Sequence, residues 1–148
     1  MAAGIDPIYC KAPIVKWCAT TTAIVGATAN TVLDGSGTEG SDLFTIFTAG
    51  TNGGFVQKIH CKAGVSANAT TATALRVFIN NGSTIGTAIN NIFWDDLTLP
   101  ATNPGIAAQS PTFELQMNLA LPAGYKIFVK SATASANGWQ VCAVGGDY

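Results

Sequence analysis

The sequence predicts an all-β chain: an antiparallel two-sheet β-sandwich of about eight strands, jelly-roll-like, behind an extended N-terminal arm. Three observations carry that prediction. Residues 112–121 read Thr-Phe-Glu-Leu-Gln-Met-Asn-Leu-Ala-Leu, which puts Phe113, Leu115, Met117, Leu119 and Leu121 on one side and polar or small residues on the other. A period of two held that long marks a strand with one dry and one wet face. Turn signals recur roughly every eight to twelve residues, the spacing of an all-β sandwich, and no convincing helix interrupts them. An immunoglobulin-like sandwich is the alternative, but the Cys and Trp spacing that marks one is absent.

Residues 1–13 hold Pro7 and Pro13 with Ile5, Ile8 and Tyr9 as isolated apolar anchors. Each proline pushes its predecessor towards extended geometry, so this segment reads as an arm and residues 14–148 as the sandwich domain. Ile14 to Thr20 suits a first strand, and Thr20 to Thr31 a strand or extended segment. Residues 34–41 (Asp-Gly-Ser-Gly-Thr-Glu-Gly-Ser) are too glycine-rich for regular structure. Leu43 to Phe47 forms a short strand, residues 49–54 turn the chain, and Phe55 to Ala63 runs on with Phe55, Ile59 and Cys61 inward. After a polar connector, Ala74 to Ile79 leads into Asn80-Asn81-Gly82-Ser83. Asn-Gly between apolar alternating runs signals a hairpin, with a weak partner strand over 84–90. Asn91 to Leu99 is apolar, and 100–111 is a loop with three prolines. The Leu121-Pro122-Ala123-Gly124-Tyr125 turn predicts a second hairpin, joining 112–121 to the run Tyr125, Ile127, Val129. Trp139 to Val144 is the last strand, and tying the end of the sequence to the sheet is expected to follow from it.

The 148 residues bound one domain without a solenoid repeat. Only 10% are charged, seven basic and eight acidic, for a net charge of −1. A folded monomer of this mass exposes about 7,100 Å², hence roughly one charge per 470 Å². A surface so poor in charge suits permanent contact with other subunits, because little charge must be desolvated on association; the plainer alternative is a neutral monomer. A single Arg argues against nucleic-acid binding, and no apolar run approaches a membrane span. The opening residues lack a secretory n-region and h-region, so synthesis and assembly in a cytoplasm are expected.

Catalytic chemistry finds few carriers. His60, the sole histidine, falls between Lys58 and Lys62 on one face with no carboxylate beside it in sequence, and reads as a surface or inter-subunit residue. Asp95 and Asp96 are strand neighbours and should point to opposite faces. Asp34, Glu39 and Asp42 match no calcium-loop pattern. Cys10, Cys18, Cys61 and Cys142 show no C-x-x-C spacing; Cys61 and Cys142 read as core residues, and neither a metal nor any other cofactor is expected. Aromatic residues are the better lead. Trp94 and Trp17 could stack on a sugar ring, whereas Trp139 and Tyr125 read as core.

Three stretches, Arg76 to Ser83, Leu121 to Ile127 and Val144 to Tyr148, together with Gly4 to Tyr9, resemble small β-sandwich virion proteins of tailed bacteriophages. The Leu-Pro-Ala-Gly-Tyr turn is also similar to a turn in trimeric jelly-roll heads. That resemblance implies a structural virion component without catalytic residues: a capsid cement or decoration protein bound to the major capsid protein. A tail- or fibre-associated module binding a glycan is the alternative. Independently of the resemblance, a single jelly roll with an uncharged flank predicts a homo-oligomer, a trimer first, and the proline-punctuated segment with Ile5, Pro7, Ile8, Tyr9 and Pro13 is expected to be the arm that grips a partner.

Overall fold

The first strand pairs with the last, the second with the seventh, the third with the sixth and the fourth with the fifth. In the computed structural model, which describes residues 12–17, 28–63, 69–104, 109–135 and 137–148, these strands are β1 (Ala12–Trp17), β2 (Phe44–Thr48), β3 (Gly54–Ala63), β4 (Thr73–Asn80), β5 (Asn91–Leu99), β6 (Thr112–Leu121), β7 (Lys126–Ser131) and β8 (Trp139–Asp147). Every pairing is antiparallel. Two four-stranded sheets result, ordered β1-β8-β3-β6 and β2-β7-β4-β5. This is one long hairpin of strands folded double and wrapped into two layers, the jelly-roll arrangement. The predicted sandwich is therefore the fold, with the predicted number of strands.

The core lies between the sheets. Val56, Ile59 and Cys61 of β3 and Trp139, Val141 and Ala143 of β8 meet Leu75 and Val77 of β4 and Ile127 and Val129 of β7. Burying each large apolar side chain is worth about 1.5–3 kcal/mol, which makes this layer the main source of stability. In β3 the inward phase switches part-way: Val56 is buried, Gln57 is exposed, and Ile59, Cys61 and Ala63 are buried. Against β8, Val56 pairs with Gly145 and Lys58 with Val144, which leaves Gln57 as an extra residue. That bulge turns Phe55 to the outer side, contrary to its expected inward position. Across β6 the same shift is absorbed near Asn118, at φ 45 the one non-glycine with positive φ among the described residues.

Both predicted hairpins change form. Asn80 pairs with Asn91, so the partner of β4 is β5, and residues 81–90 form a longer connection with a 3₁₀ turn at Ala88–Asn90. The Pro-Ala-Gly turn after β6 does reverse the chain, with the Tyr125 N–H donating to the Pro122 carbonyl at 3.2 Å and Gly124 at φ 76. Yet β6 pairs with β3 while β7 pairs with β2 and β4, so this turn crosses between sheets rather than closing a hairpin. Bonds from Gly124 N to Ala49 O (3.2 Å) and from Ala49 N to Tyr125 O (2.9 Å) seat it on the end of β2.

The first strand starts at Ala12, so Pro13, expected in the arm, belongs to the sandwich opposite Gly146. Proline is tolerated there because β1 is an edge strand. Residues Ile5, Pro7, Ile8 and Tyr9, and most of the segment expected over 20–31, lie outside the described residues. The end of the sequence is tied down as expected: β8 runs to Asp147, and the Tyr148 N–H donates to the Gly53 carbonyl at 3.3 Å.

A smaller second core covers the outer face of the β2-β7-β4-β5 sheet. Phe78 of β4 and Phe128 of β7 stack at 5.1 Å between ring centres, nearly parallel at 8°. Leu43 and Ile85, from the loops before β2 and before β5, close over them. The two central strands of this sheet are thus buried on both faces.

Candidate functional site

Strand β5 is the most exposed apolar element described. It is an edge strand, and a bulge breaks its pairing with β4: Val77 faces Asp95 and Phe78 faces Phe93, leaving Trp94 as the extra residue. A bulge re-aims side chains, and here it leaves Ile92, Phe93 and Trp94 exposed at 61%, 39% and 47%. Ile89, in the 3₁₀ turn just before, is 90% exposed. Phe93 is anchored from beneath by Phe78, ring centres 5.3 Å apart and tilted at 51°. The patch is therefore the outer end of an aromatic ladder rooted in the second core, held in place rather than loose.

Asp95 and Asp96 follow directly, both exposed, with the Asp96 N–H donating to Asp95 Oδ1 at 2.8 Å. Adjacent carboxylates and a bulge are devices that keep an edge from adding another strand. The surface therefore favours contact through its side chains over backbone pairing.

The strands that carry Trp17 and Trp94 lie at opposite open sides of the sandwich. Trp17 ends β1, pairing with Cys142 at the edge where β1 lies beside β2. Trp94 sits on the other open side, where β5 lies beside β6. Trp139 is fully buried, T-shaped against Phe113 at 5.8 Å between ring centres, and Tyr125 packs against the core, as expected for both.

The outer face of the β1-β8-β3-β6 sheet supplies His60 with the carboxylate that sequence neighbours did not. Register places Glu114 of β6 directly opposite His60. Its Oε1 accepts from Lys58 Nζ at 2.7 Å and meets His60 Nδ1 at 3.2 Å. Lys58 first and His60 second hold the Glu114 carboxyl below its ordinary range. Cys142 of β8 pairs with His60 and lies half-buried on this face, not in the core as expected; Cys61 does lie in the core. Burial pushes both thiols up, Cys61 to about 12, away from the thiolate form that nucleophilic chemistry requires.

Because the Glu114 pKa is lowered on folding, its contribution is present above the ordinary range near 4.5 and is lost as pH falls through the lowered value. Glu114→Gln should therefore lower the urea midpoint slightly at neutral pH, and the gap to wild type should close in acid. Parallel midpoint curves across that window would count against the pairing.

The acidic residues of the 34–42 loop serve the loop itself. Asp34 Oδ1 accepts from the Ser36 N–H at 2.8 Å and its hydroxyl at 2.6 Å, and Asp42 Oδ1 accepts from the Thr38 N–H at 2.6 Å. Among the described residues no three His, Cys, Asp or Glu side chains converge as a metal site. No family model, curated protein or solved structure matches this chain.

Proposed function

We propose that this chain is a structural virion protein of a tailed bacteriophage, a capsid cement or decoration protein that stabilises the head by binding across subunits of the major capsid protein. The observation that carries the reading is the anchored apolar edge at Ile89, Ile92, Phe93 and Trp94 on a jelly roll otherwise poor in charge. Jelly rolls serve as capsid and lectin domains, and permanent assembly covers such a patch at little desolvation cost. A cyclic homo-oligomer, a trimer first, is the associated assembly, with residues of the N-terminal arm reaching a neighbour.

Particle composition tests this. Particles purified from cells carrying the gene should contain this chain at a copy number comparable to the major capsid subunit. A handful of copies per particle would move it to the tail or a fibre, and absence from particles would overturn the proposal.

The exposed Trp94 ring also supports a second reading, a tail- or fibre-associated glycan-binding module. Under that reading, reproducible binding on a glycan array disappears in Trp94→Ala. Under the cement reading no sugar binds, and the same variant instead weakens particle incorporation.

A further inference from the structure

Lys130 of β7 is fully buried, beneath the loop that carries Asn30, Ser36 and Asp42. Its Nζ donates to Asn30 Oδ1 at 3.1 Å and to the Ser36 carbonyl at 3.4 Å, and lies 4.9 Å over the Phe78 ring. A lone buried ammonium is costly, and lysine usually reaches water along its stem. Asn30 is itself 7% exposed and held from every side. Its backbone N–H donates to the Ser131 carbonyl at 2.8 Å, and Arg76 Nη1 donates to its carbonyl at 3.3 Å and to that of Thr31 at 2.7 Å. The side chain accepts at Oδ1 from the Val32 N–H at 3.1 Å, and donates through Nδ2 to Asp42 Oδ2 and the Ser36 carbonyl, both at 2.9 Å.

We propose that Lys130 and Asn30 are a self-crosslinking pair, in which Nζ of Lys130 attacks Cγ of Asn30 to form an intramolecular isopeptide amide with loss of ammonia. Each part that amide exchange needs is present. The nucleophile already touches the carbonyl oxygen at 3.1 Å, one bond from the carbon on which a near-attack geometry must form. The Val32 N–H sits on the oxygen where negative charge develops. Asp42 sits on the nitrogen that must leave. In the step, the Nζ lone pair forms the new C–N bond and the carbonyl pair moves to Oδ1. Once bonded, Nζ and Nδ2 share the carbon Cγ, so Asp42, already on Nδ2, takes the surplus proton from Nζ and passes it to Nδ2. The old Cγ–Nδ2 bond then breaks with its electron pair, the carbonyl re-forms, and ammonia departs. One C–N bond replaces another, so neither oxidant nor co-reactant is needed.

The surroundings favour the reaction over hydrolysis. Lys130 and Asn30 are both buried, with the Phe78 ring against the ammonium, which keeps water from the attacked carbon. Burial pushes the Lys130 ammonium below its usual range, against opposition from Asp34 and Asp42, which raises the share of the neutral amine that attacks. Gly37 has φ +150, and a Cβ there would lie 2.6 Å from Asn30 Nδ2 and 2.9 Å from Asp42 Oδ1, so no side chain can intrude.

Intact-mass spectrometry of the purified full chain is the test. The wild type should be lighter than its sequence by one ammonia, once the initiator methionine is accounted for. A digest should yield a branched peptide joining Lys130 to Asn30, with no tryptic cleavage after Lys130. Asn30→Asp should lose one water instead, because a carboxyl replaces the amide. Asp42→Asn, which keeps the side-chain shape but can accept only one of the two bonds that Asp42 accepts, should stay at full mass, as should Lys130→Met. A wild-type chain that keeps its full mass after long incubation overturns the proposal. So does an ammonia loss that maps to a succinimide at an asparagine and not to Lys130.

Discussion

Trp139→Ala should cost about 3–5 kcal/mol and lower the thermal midpoint by on the order of 10 °C for a chain of this size. Trp139 is the largest of the fully buried side chains. It opens β8, pairs with Ala63 at the end of β3, and meets the Phe113 ring nearly at right angles, at 81°. Truncation would leave a void between the sheets that neighbours on two rigid strands cannot collapse to fill. Among the described residues the indole Nε1 has no hydrogen-bond partner, an arrangement that itself costs about 1–3 kcal/mol. Trp139→Phe therefore loses ring volume but no hydrogen bond, and removes an orphaned donor. It should cost well under half of what alanine costs. Equal midpoints for the two variants in urea would mean that ring packing is not what Trp139 supplies.

How much of this was legible in the sequence follows from the physics of each signal. The period of two in Thr112 to Leu121 survives intact because one face of β6 meets the core and the other meets water. The Pro122-Ala123-Gly124 turn was legible as a reversal, since Gly124 adopts the positive φ that such a turn requires. Its partner strands were not legible: a turn fixes local geometry, whereas sheet membership is set by pairings with β2, β3 and β4, distant in sequence. Phe55 was misplaced because a bulge of one residue at Gln57 inverts the alternation, and no residue type announces it.

The sites behave likewise. Trp94 was legible as a surface aromatic, but its exposure comes from a bulge that only the register with Val77 and Phe78 reveals. Glu114 was missed as the partner of His60 because the two meet only across the β3–β6 pairing. Lys130 was missed because lysine in an alternating strand reads as solvent-facing. The available signal was Phe128, two residues earlier on the same outer face, and Phe78 in the same position on β4. Two large rings on a nominally wet face imply a cover, and whatever cation shares that face is covered with them.

The cover and the core both depend on close backbone contact, and Gly145 is where the chain tolerates least. Gly145→Ala should destabilise the domain by about 3 kcal/mol or more, with a midpoint shift on the order of 10 °C. The added Cβ would strike the Phe55 carbonyl oxygen, and it would lie 2.9 Å from Val56 Cα and 3.0 Å from the Phe55 carbonyl carbon. All three are backbone atoms of a central strand, at the bulge where Val56 pairs with Gly145, so no flexible side chain can move aside. Gly124→Ala is the informative control. Nothing lies within 4 Å of its added Cβ, but its φ of +76 should cost about 1–2 kcal/mol through backbone conformation alone. Two glycines thus fail for different reasons, and the ranking tests which is operating. The damage at Gly145 should also spread along β8. Two residues on, Asp147 Oδ1 accepts from the Gly50 N–H at 2.9 Å, and Tyr148 bonds back to Gly53. Hydrogen exchange should show the Gly50 amide losing protection in Gly145→Ala and keeping it in Gly124→Ala. A Gly145→Ala chain that matches wild type in both midpoint and Gly50 protection would mean that β3 and β8 do not approach as closely as described.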